Sequence, residues 1–567
     1  MSGDPSLQDL KPHYPVLIIG AGINGCGLFR DLSLQGVDCL LIDRGDICEG
    51  ASAAPSRLIH GGIKYLETGE FRLVRESAME RNRLLRNAPH VVKPIETVLP
   101  VASWFGGIVS SALRFVGAKA KMKDRGAIIT EIGLRIYDAY NRQVRALPDH
   151  QFWGSGALRS EYPSFARHIK AAGLYCEGRI THAERLGMEL VMDGLAANPG
   201  SALRTYCSPS RDTEAPRILL TDAITGERRS VTADVLVNAG GAWIDKINAS
   251  LGINSQHMGG SKGSHLVVRN AELFDALAGR MIYFGTADGR VNLIYPFFGN
   301  VLIGATDIPV KDPDEAHCSA KETDYLLSTV REIFPLICIT HDQVLLSYCG
   351  VRPLPRSEGK DIGAVSRDHA IARDTLPGTG TPVLSLIGGK WTTFRAFAAQ
   401  AADEVLSKLA RKRSVSTEDL AIGGGRGYPA DEVSAEALAR AIAAQSKLEI
   451  ACARQLLSRY GTSASAVAAT IAATSDKPLL AIHGYSAGEI IHICRTESVR
   501  RLSDVLLRRT AIAMECLLSA AAVEEAADIV ADALGWTPAR RNAEANLMRA
   551  EMTRRAIPDH TAAKTAA

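Results

Sequence analysis

The chain has 567 residues, room for about two or three domains, and its 46% hydrophobic and 22% charged residues are the balance of an ordinary folded protein. A formal net charge of +3, with no interleaved array of aromatic and basic residues, argues against a nucleic-acid partner. No uncharged run is long and apolar enough to span a bilayer, the opening MSGDPSLQDLKPHY lacks the apolar core of a secretory signal, and the eleven cysteines show neither a CxxC pair nor zinc spacing. Reduced thiols, no metal site, and a place in the cytosol or on the cytosolic face of a membrane are therefore expected.

In chain order, the apolar run Val16–Ile19 reads as a buried parallel strand. A short helix closing at Gly36 follows, then a second strand over Val37–Ile42, so a β–turn–α–β unit opens an α/β domain. Residues 69–87 form a polar, Arg-rich amphipathic helix with Phe71, Val74, Met79 and Leu84 or Leu85 on its inner side. Between about 174 and 351 the strand signals multiply at Val235–Asn238, His265–Val268, Asn292–Pro296 and Val301–Ile303, as in a mixed or antiparallel sheet interleaved with the first domain. A last strand, Val383–Ile387, ends on Gly388-Gly389 and leads into a helix from Thr392. Beyond Gly423-Gly424-Gly425 the text is Ala-, Leu- and Arg-rich with helical spacing, the pattern of a separate all-helical domain, and residues 556–567 read as a disordered tail.

Gly20-Ala-Gly22-Ile-Asn24-Gly25 is a G-x-G-x-x-G between a strand and a helix. Gly20 permits the tight turn, Gly22 lets the backbone approach a pyrophosphate, and Gly25 lets helix and strand pack closely, with the helix dipole facing the phosphates. Asp43, at the end of the second strand, can accept both ribose hydroxyls. A coincidental Gly-rich turn would lack these flanking elements. Two more strands end in glycine: Val235-Leu-Val-Asn-Ala239-Gly240-Gly-Ala-Trp243, and Ile387-Gly388-Gly389-Lys390. Three such ends in one sheet favour FAD over NAD. The fold expected is α/β: an FAD-binding Rossmann-like domain of the glutathione-reductase type, discontinuous over 1–80, 170–250 and 350–408. With it go an interleaved mixed-sheet substrate or cap domain over 81–169 and 251–349, and an all-helical C-terminal domain over 409–555.

The motifs GAGING, SRLIHGGIKYLE, EFRLV, APH, NAGGAW, KGSH, IGATD, GVRPL, SRDH and GGKWTTFR occur here in the order in which they occur in the FAD-dependent glycerol-3-phosphate dehydrogenase family, which the chain resembles from about Val16 to Met514. The tail, with Asp504-Val-Leu-Leu-Arg-Arg-Thr510, is similar to that family's C-terminal domain. The resemblance implies a respiratory flavoenzyme that oxidises glycerol 3-phosphate to dihydroxyacetone phosphate and passes electrons to quinone. It implies that Ser52, Ser56 and Leu58 run beside the flavin with Gly61 and Gly62, and that Lys64 and Tyr65 meet the substrate. A small dianionic substrate needs charge-assisted hydrogen bonds to its phosphate, for which Arg352, Arg367 and Lys64 are candidates; the plain alternative for each is a surface cation in a loop. Oxidation at C2 moves a hydride to the flavin and the hydroxyl proton to a base. His265 of the KGSH segment matches the family histidine at the substrate, and His60, whose plain alternative is a turn histidine, is its rival; shared or water-relayed roles stay open. Lys390 and Thr392 are expected against the flavin ring or the phosphate, and Thr306-Asp307 in a loop close by.

Three departures from the family pattern bear on the substrate. Lys64 stands where Arg is commoner, the Ser/Thr run is thinned to Ser52 and Ser56, and residues 104–140 look unlike the usual version. A four-carbon polyol phosphate such as erythritol phosphate is therefore an alternative substrate, and oxygen, with peroxide as product, an alternative acceptor. A flavin-binding sensor without turnover would have no use for Arg352, Arg367, His265 and Lys390 together. A quinone acceptor places the protein peripherally on the cytoplasmic face of the inner membrane, and a homodimer is an assembly open to it. The aromatic and basic residues of 101–123 suit an interfacial anchor, or else a helix covering the sheet.

Overall fold

The computed structural model describes residues 5–63, 70–104, 126–141, 146–212, 214–286, 288–356, 368–474, 476–555 and 557. Its first sheet is built on parallel neighbours: His13–Ile19 lies between Arg228–Asn238 and Cys39–Ile42, with Pro382–Ile387 beyond the former and Ala202–Arg204 beyond the latter. Uninterrupted apolar runs are what such strands require, because helices or loops cover both faces and no side chain alternates into water. On one face pack the helices Ile23–Leu34, Ala183–Ala197 and Phe394–Lys408 around a core of Val16, Ile18, Phe29, Leu41, Val237, Phe394 and Phe397. The first helix comes so close to the last that a Cβ on Gly27 would lie 2.8 Å from the Phe394 ring. Ile19, Asn238 and Ser385 are thus brought side by side, and the three Gly-rich turns leave the same edge of one sheet.

The second sheet is mixed. Ser261–Val268 runs between Asn300–Gly304 and Val344–Arg352, so that His265 stands opposite Gly304 on one side and Tyr348 on the other. Val291–Phe297, Met281–Gly285, Val92–Val101, Ala171–Ile180 and the short Leu58–Ile59 complete the row. Ala171–Ile180, which opens the segment 170–250 expected in the dinucleotide unit, lies in this sheet and pairs along its whole length with Val92–Val101, and Val344–Arg352 pairs with the histidine strand. Periodicity marks a strand but does not name its partner.

The Arg-rich helix spans Phe71–Asn87. Leu73, Val74, Ala78 and Leu84 face inward, whereas Phe71, expected inside, is exposed because it opens the helix ahead of the buried stripe. The C-terminal region is helical, as its composition indicates, with helices Glu432–Ser446, Ile450–Tyr460, Ala464–Ala473, Ala487–Thr496, Ala520–Leu534 and Pro538–Arg554. Asp431, Ser486, Ser519 and Thr537 cap four of them through side-chain oxygens. Among the described residues, no helix is long and apolar enough to cross a membrane.

The Phe394 ring, 1% exposed, closes the junction between the dinucleotide helix and Phe394–Lys408. Phe394→Ala is expected to cost about 3–5 kcal/mol, read as a lower urea midpoint at unchanged slope.

Candidate functional site

A cavity of about 1400 Å³ lies where the two sheets meet and reaches from the Gly20 turn to His265 and Arg352. The Gly20 turn is shaped by close approach. Gly20 has φ of +107°, and a Cβ there would lie 2.7 Å from the Ala239 backbone, while one on Gly25 would lie 1.9 Å from the Gly20 carbonyl. Ser52 Oγ accepts from Ile23 N at 2.9 Å, and Asn24 Nδ2 donates to the Gly388 carbonyl at 3.1 Å. Asn24 Oδ1 is buried with no hydrogen-bond partner, an acceptor left over on the cavity wall. The N-terminus of Ile23–Leu34 opens on this wall, where its unpaired N–H groups and dipole favour an anion. Asp43 accepts from Ala21 N at 2.6 Å and Gly45 N at 2.8 Å, and burial pushes its carboxyl up to about 6.

The other two glycine turns face the first. Gly22, Ala239, Gly240 and Trp243 line the cavity. The Trp243 indole N–H donates to Asp314 Oδ1 at 2.8 Å and the Arg44 guanidinium lies 4.6 Å from its ring, so this side chain is held by the protein itself. Gly388 and Gly389 have φ of +79° and +93°, and a Cβ on Gly389 would meet the Asn24 amide at 2.5 Å. Lys390 follows on the wall. Trp391 Nε1 donates to the Ser52 carbonyl at 3.2 Å, and Thr392 Oγ1 accepts from His60 N at 3.1 Å and donates to its carbonyl at 3.2 Å. Thr392 therefore fixes the backbone of the His60 loop.

That loop, Pro55 to Ile63, is pinned at nearly every residue. The Tyr348 hydroxyl donates to the Pro55 carbonyl at 3.1 Å, and the Tyr295 hydroxyl to the Ser56 carbonyl at 3.2 Å. Arg57, at φ of +53°, is fully buried and grips Glu184 through two bonds of 3.0 and 2.6 Å. It is a structural cation, and Leu58 beside it lines the cavity. Gly61 N donates to Glu177 Oε2 at 3.0 Å, and Tyr137 and Arg81 converge on the same carboxylate at 2.7 and 2.8 Å. A Cβ on Gly61 would lie 2.0 Å from the Tyr137 hydroxyl, and Gly62 takes φ of +77°. Lys64 and Tyr65, just beyond, and Arg367 lie outside the described residues, as does most of the 101–123 segment.

The cavity also contains His265. Its Nε2 lies 2.7 Å from Ser56 Oγ, its ring stacks on Tyr348 at 4.9 Å, and its Nδ1 is buried without a partner. Burial, then the positive charges of Arg352 and Arg57, lower its pKa to about 3, so the imidazole is neutral throughout the physiological range. Arg352 donates from Nη1 to Asp307 Oδ1 and from Nη2 to the Thr306 carbonyl, both at 3.0 Å. Gly263 makes the room: a Cβ there would lie 2.2 Å from Nη2. Asp307, expected beside the cofactor, is engaged by Arg352 and the Ser261 hydroxyl. Behind it, Glu322 accepts from Lys262, Ser264 and Thr306 at 2.6, 2.8 and 2.8 Å; burial raises its carboxyl, but these donors outweigh that and hold it at about 2.

The structure thus brings His265, Arg352, His60, Lys390 and, from the three glycine turns, Gly20, Gly22, Asn24, Ala239, Gly240, Trp243, Gly388 and Gly389 to one cavity, whereas Gly25 and Gly61 do not line it. It adds Tyr295, Tyr348, Glu184, Glu177, Tyr137 and Arg81, which sequence reasoning passed over. Only Glu177 carried a signal, as the lone carboxylate in the largely apolar strand Ala171–Ile180.

Comparison with known proteins agrees with this geometry. Residues 15–395 match the family described as FAD dependent oxidoreductase, and residues 415–541 match the C-terminal domain of alpha-glycerophosphate oxidase. The chain is 31% identical over 569 residues to glycerol-3-phosphate dehydrogenase 2 of Mycobacterium bovis, covering 97% of this chain and 90% of that protein. It is 29% identical over 584 residues to glycerol-3-phosphate dehydrogenase of Synechocystis, covering 99% and 100%. The structure of glycerol-3-phosphate dehydrogenase from Bacillus halodurans, solved in complex with FAD, superposes with a TM-score of 0.73 at 22% identity, over 97% of this chain and 96% of that one. The residues present fit FAD: a glycine cradle that a Cβ would fill, a helix N-terminus for the pyrophosphate, an acceptor in Asp43 for ribose hydroxyls, and an unpartnered amide oxygen on Asn24.

Two outcomes follow from this site. Gly20→Ala, strained at positive φ and in collision with the Ala239 backbone, is expected to yield folded protein nearly free of flavin absorbance. The second concerns acid. The folded-state pKa of His265 lies below its ordinary value of 6.5, so the unfolded chain takes up a proton that the folded chain refuses; the stability present above 6.5 is lost as pH falls towards about 3. Urea midpoints at pH 7 and pH 4.5 should differ less in His265→Gln than in the parent; an equal difference would contradict the assignment.

Proposed function

The chain belongs to the FAD-dependent glycerol-3-phosphate dehydrogenase family, with FAD as its cofactor, and from that premise we propose that it oxidises sn-glycerol 3-phosphate at C2 to dihydroxyacetone phosphate and delivers the electrons to a membrane quinone. The observation that carries this reading is the pairing of an oriented guanidinium, Arg352, with a buried neutral imidazole, His265, in the cavity of the glycine turns.

The substrate phosphate docks on Arg352 through charge-assisted bonds, with Lys390, Lys64 and Arg367 as further cations of the cradle. Asp307 and Thr306 hold the guanidinium in one orientation, which reduces the ordering cost of binding. The C2 hydroxyl gives its proton to His265 Nε2, directly or through Ser56 Oγ, while C2 loses its hydrogen with the bonding pair and becomes a carbonyl carbon. FAD supplies the acceptor for that hydride. A bound phosphate dianion offsets the Arg352 charge and raises the proton affinity of His265 when it is needed. His60, its backbone tied to Thr392, is the alternative proton acceptor.

The similar proteins of Synechocystis and Mycobacterium bovis are named dehydrogenases, which supports an acceptor other than oxygen. Quinone lies in the bilayer, so the protein works from the cytoplasmic membrane surface; exposed Trp104, Ile128 and Ile132 offer apolar contact there. A second reading, with oxygen as acceptor, draws on the likeness of residues 415–541 to the alpha-glycerophosphate oxidase C-terminal domain.

Anaerobic addition of sn-glycerol 3-phosphate should bleach the flavin, and unphosphorylated glycerol at the same concentration should not; bleaching only by a four-carbon phosphate would move the substrate to erythritol phosphate. Turnover with a soluble quinone and little peroxide in air supports the quinone reading, and peroxide at turnover rates supports the oxidase. Arg352→Ala is expected to lower kcat/KM about 10²–10³-fold, by exposing the phosphate charge to an unpaired pocket, with FAD content unchanged. Gly263→Ala, which displaces Nη2, should raise KM about tenfold with a smaller effect on kcat.

A further inference from the structure

The motif Asp504-Val-Leu-Leu-Arg-Arg-Thr510 lies in the helical domain, outside the chemistry derived so far. Its two arginines reach across to the dinucleotide domain. Arg509 grips Asp46 with two parallel bonds, Nη1 to Oδ2 and Nη2 to Oδ1, both 2.7 Å, and Arg508 Nε adds a third at 2.6 Å. In sequence these partners are 463 and 462 residues apart. Arg508 also donates to Asp504 Oδ1 at 2.8 Å, and the Tyr206 hydroxyl donates to the same oxygen at 2.5 Å. The backbone N–H groups of Arg500 and Arg501 fill the other Asp504 oxygen at 2.9 Å each. Asp46 and Asp504 are completely buried, and Arg508 and Arg509 nearly so. Two carboxylates and two guanidiniums thus form a closed, neutral knot.

We propose that this knot makes the helical domain a working part of the cofactor site: Arg508 and Arg509, closed on Asp46, position the loop from Asp43 to Ser52 that presents ribose and pyrophosphate contacts to FAD. Asp46 sits three residues after Asp43, and the intervening chain is short and taut: Gly45 N and Ala21 N bind Asp43, Tyr206 N donates to the Gly45 carbonyl at 2.8 Å, and Cys48 N to the Ala21 carbonyl at 2.9 Å. Any rotation of Asp46 is therefore passed to the Asp43 carboxylate and to the Gly20 turn. Residues Val505–Arg509 form a π-turn, a rare geometry that here aims two successive arginines at one carboxylate. The cavity wall points the same way: Arg501, Ser503, Leu507, Arg508 and Met548 of the helical domain line the cavity that holds Gly20 and Asp43. A buried ion pair is weak as glue compared with apolar packing, but a forked guanidinium on a carboxylate fixes one orientation, and that is what a nucleotide loop needs. In keeping with this, burial raises the Asp46 carboxyl but Arg509 and Arg508 overcome it and hold it at about 2, whereas Asp43, without such a cation, is pushed up to about 6.

The test uses the full-length apoprotein titrated with FAD by flavin fluorescence, alongside its melting temperature without FAD. Asp46→Asn and Arg509→Lys should each raise the FAD Kd at least about tenfold. Arg459→Lys, which loosens the buried Arg459–Glu489 pair inside the helical domain, should lower the melting temperature but leave the Kd within about twofold. Tyr206→Phe removes one hydroxyl without stranding a charge and so covers the case in which the charged variants do not fold; a rise of about threefold in Kd is expected. A folded Asp46→Asn or Arg509→Lys protein with the parental Kd, or a Tyr206→Phe protein that loses melting temperature alone, would overturn the proposal.

Discussion

A guanidinium and the buried imidazole whose protonation it opposes lie at the centre of this molecule. Arg352 is locked by Asp307 and Thr306, and its charge, with burial, keeps His265 unprotonated. In the proposed reaction, a cation that holds an anionic substrate and a neutral nitrogen that accepts its proton make opposite demands on the local field, and the same arginine would meet both. The second sheet exists in its observed register to permit this. His265 lies between Gly304 and Tyr348, and only glycine fits opposite, since a Cβ on Gly304 would fall 2.1 Å from the ring. Two positions earlier on the same strand, Gly263 yields its side-chain space to Arg352.

The two sheets divide the work in physical terms. The parallel sheet delivers backbone: glycine turns, N–H groups and a helix terminus, all suited to a long polyanionic cofactor that must be approached closely. The mixed sheet delivers side chains: His265, Arg352, and the tyrosines that pin the loop from Pro55 to Ile63 between them. That loop belongs to neither sheet for most of its length, so its conformation is imposed from outside by Glu177, Glu184, Tyr295, Tyr348 and Thr392.

The features legible in the sequence are those written in local chemistry. The glycines of the three turns, the β-branched runs before them, and the apolar periodicity of the C-terminal helices each announce themselves within a few residues. Sheet membership did not: Ala171–Ile180 is a clear strand, but its partner Val92–Val101 is set by long-range packing. The residues that hold the site were equally silent, because a tyrosine hydroxyl bonded to a distant carbonyl leaves no local pattern. Arg57 shows the limit most clearly. In the text it is one more cation beside His60 and Lys64, whereas in the fold it is buried against Glu184 and spent on holding a left-handed backbone. The Arg508-Arg509 pair was visible as part of a motif, yet its partner Asp46 lies at the other end of the chain.

The most direct measurement is a crystal structure of the FAD-loaded protein with dihydroxyacetone phosphate bound. The account predicts the phosphate within about 3 Å of the Arg352 guanidinium and the C2 oxygen within hydrogen-bond reach of His265 Nε2 or Ser56 Oγ. A phosphate seated away from Arg352, with the C2 oxygen facing neither His265 nor Ser56, would contradict it.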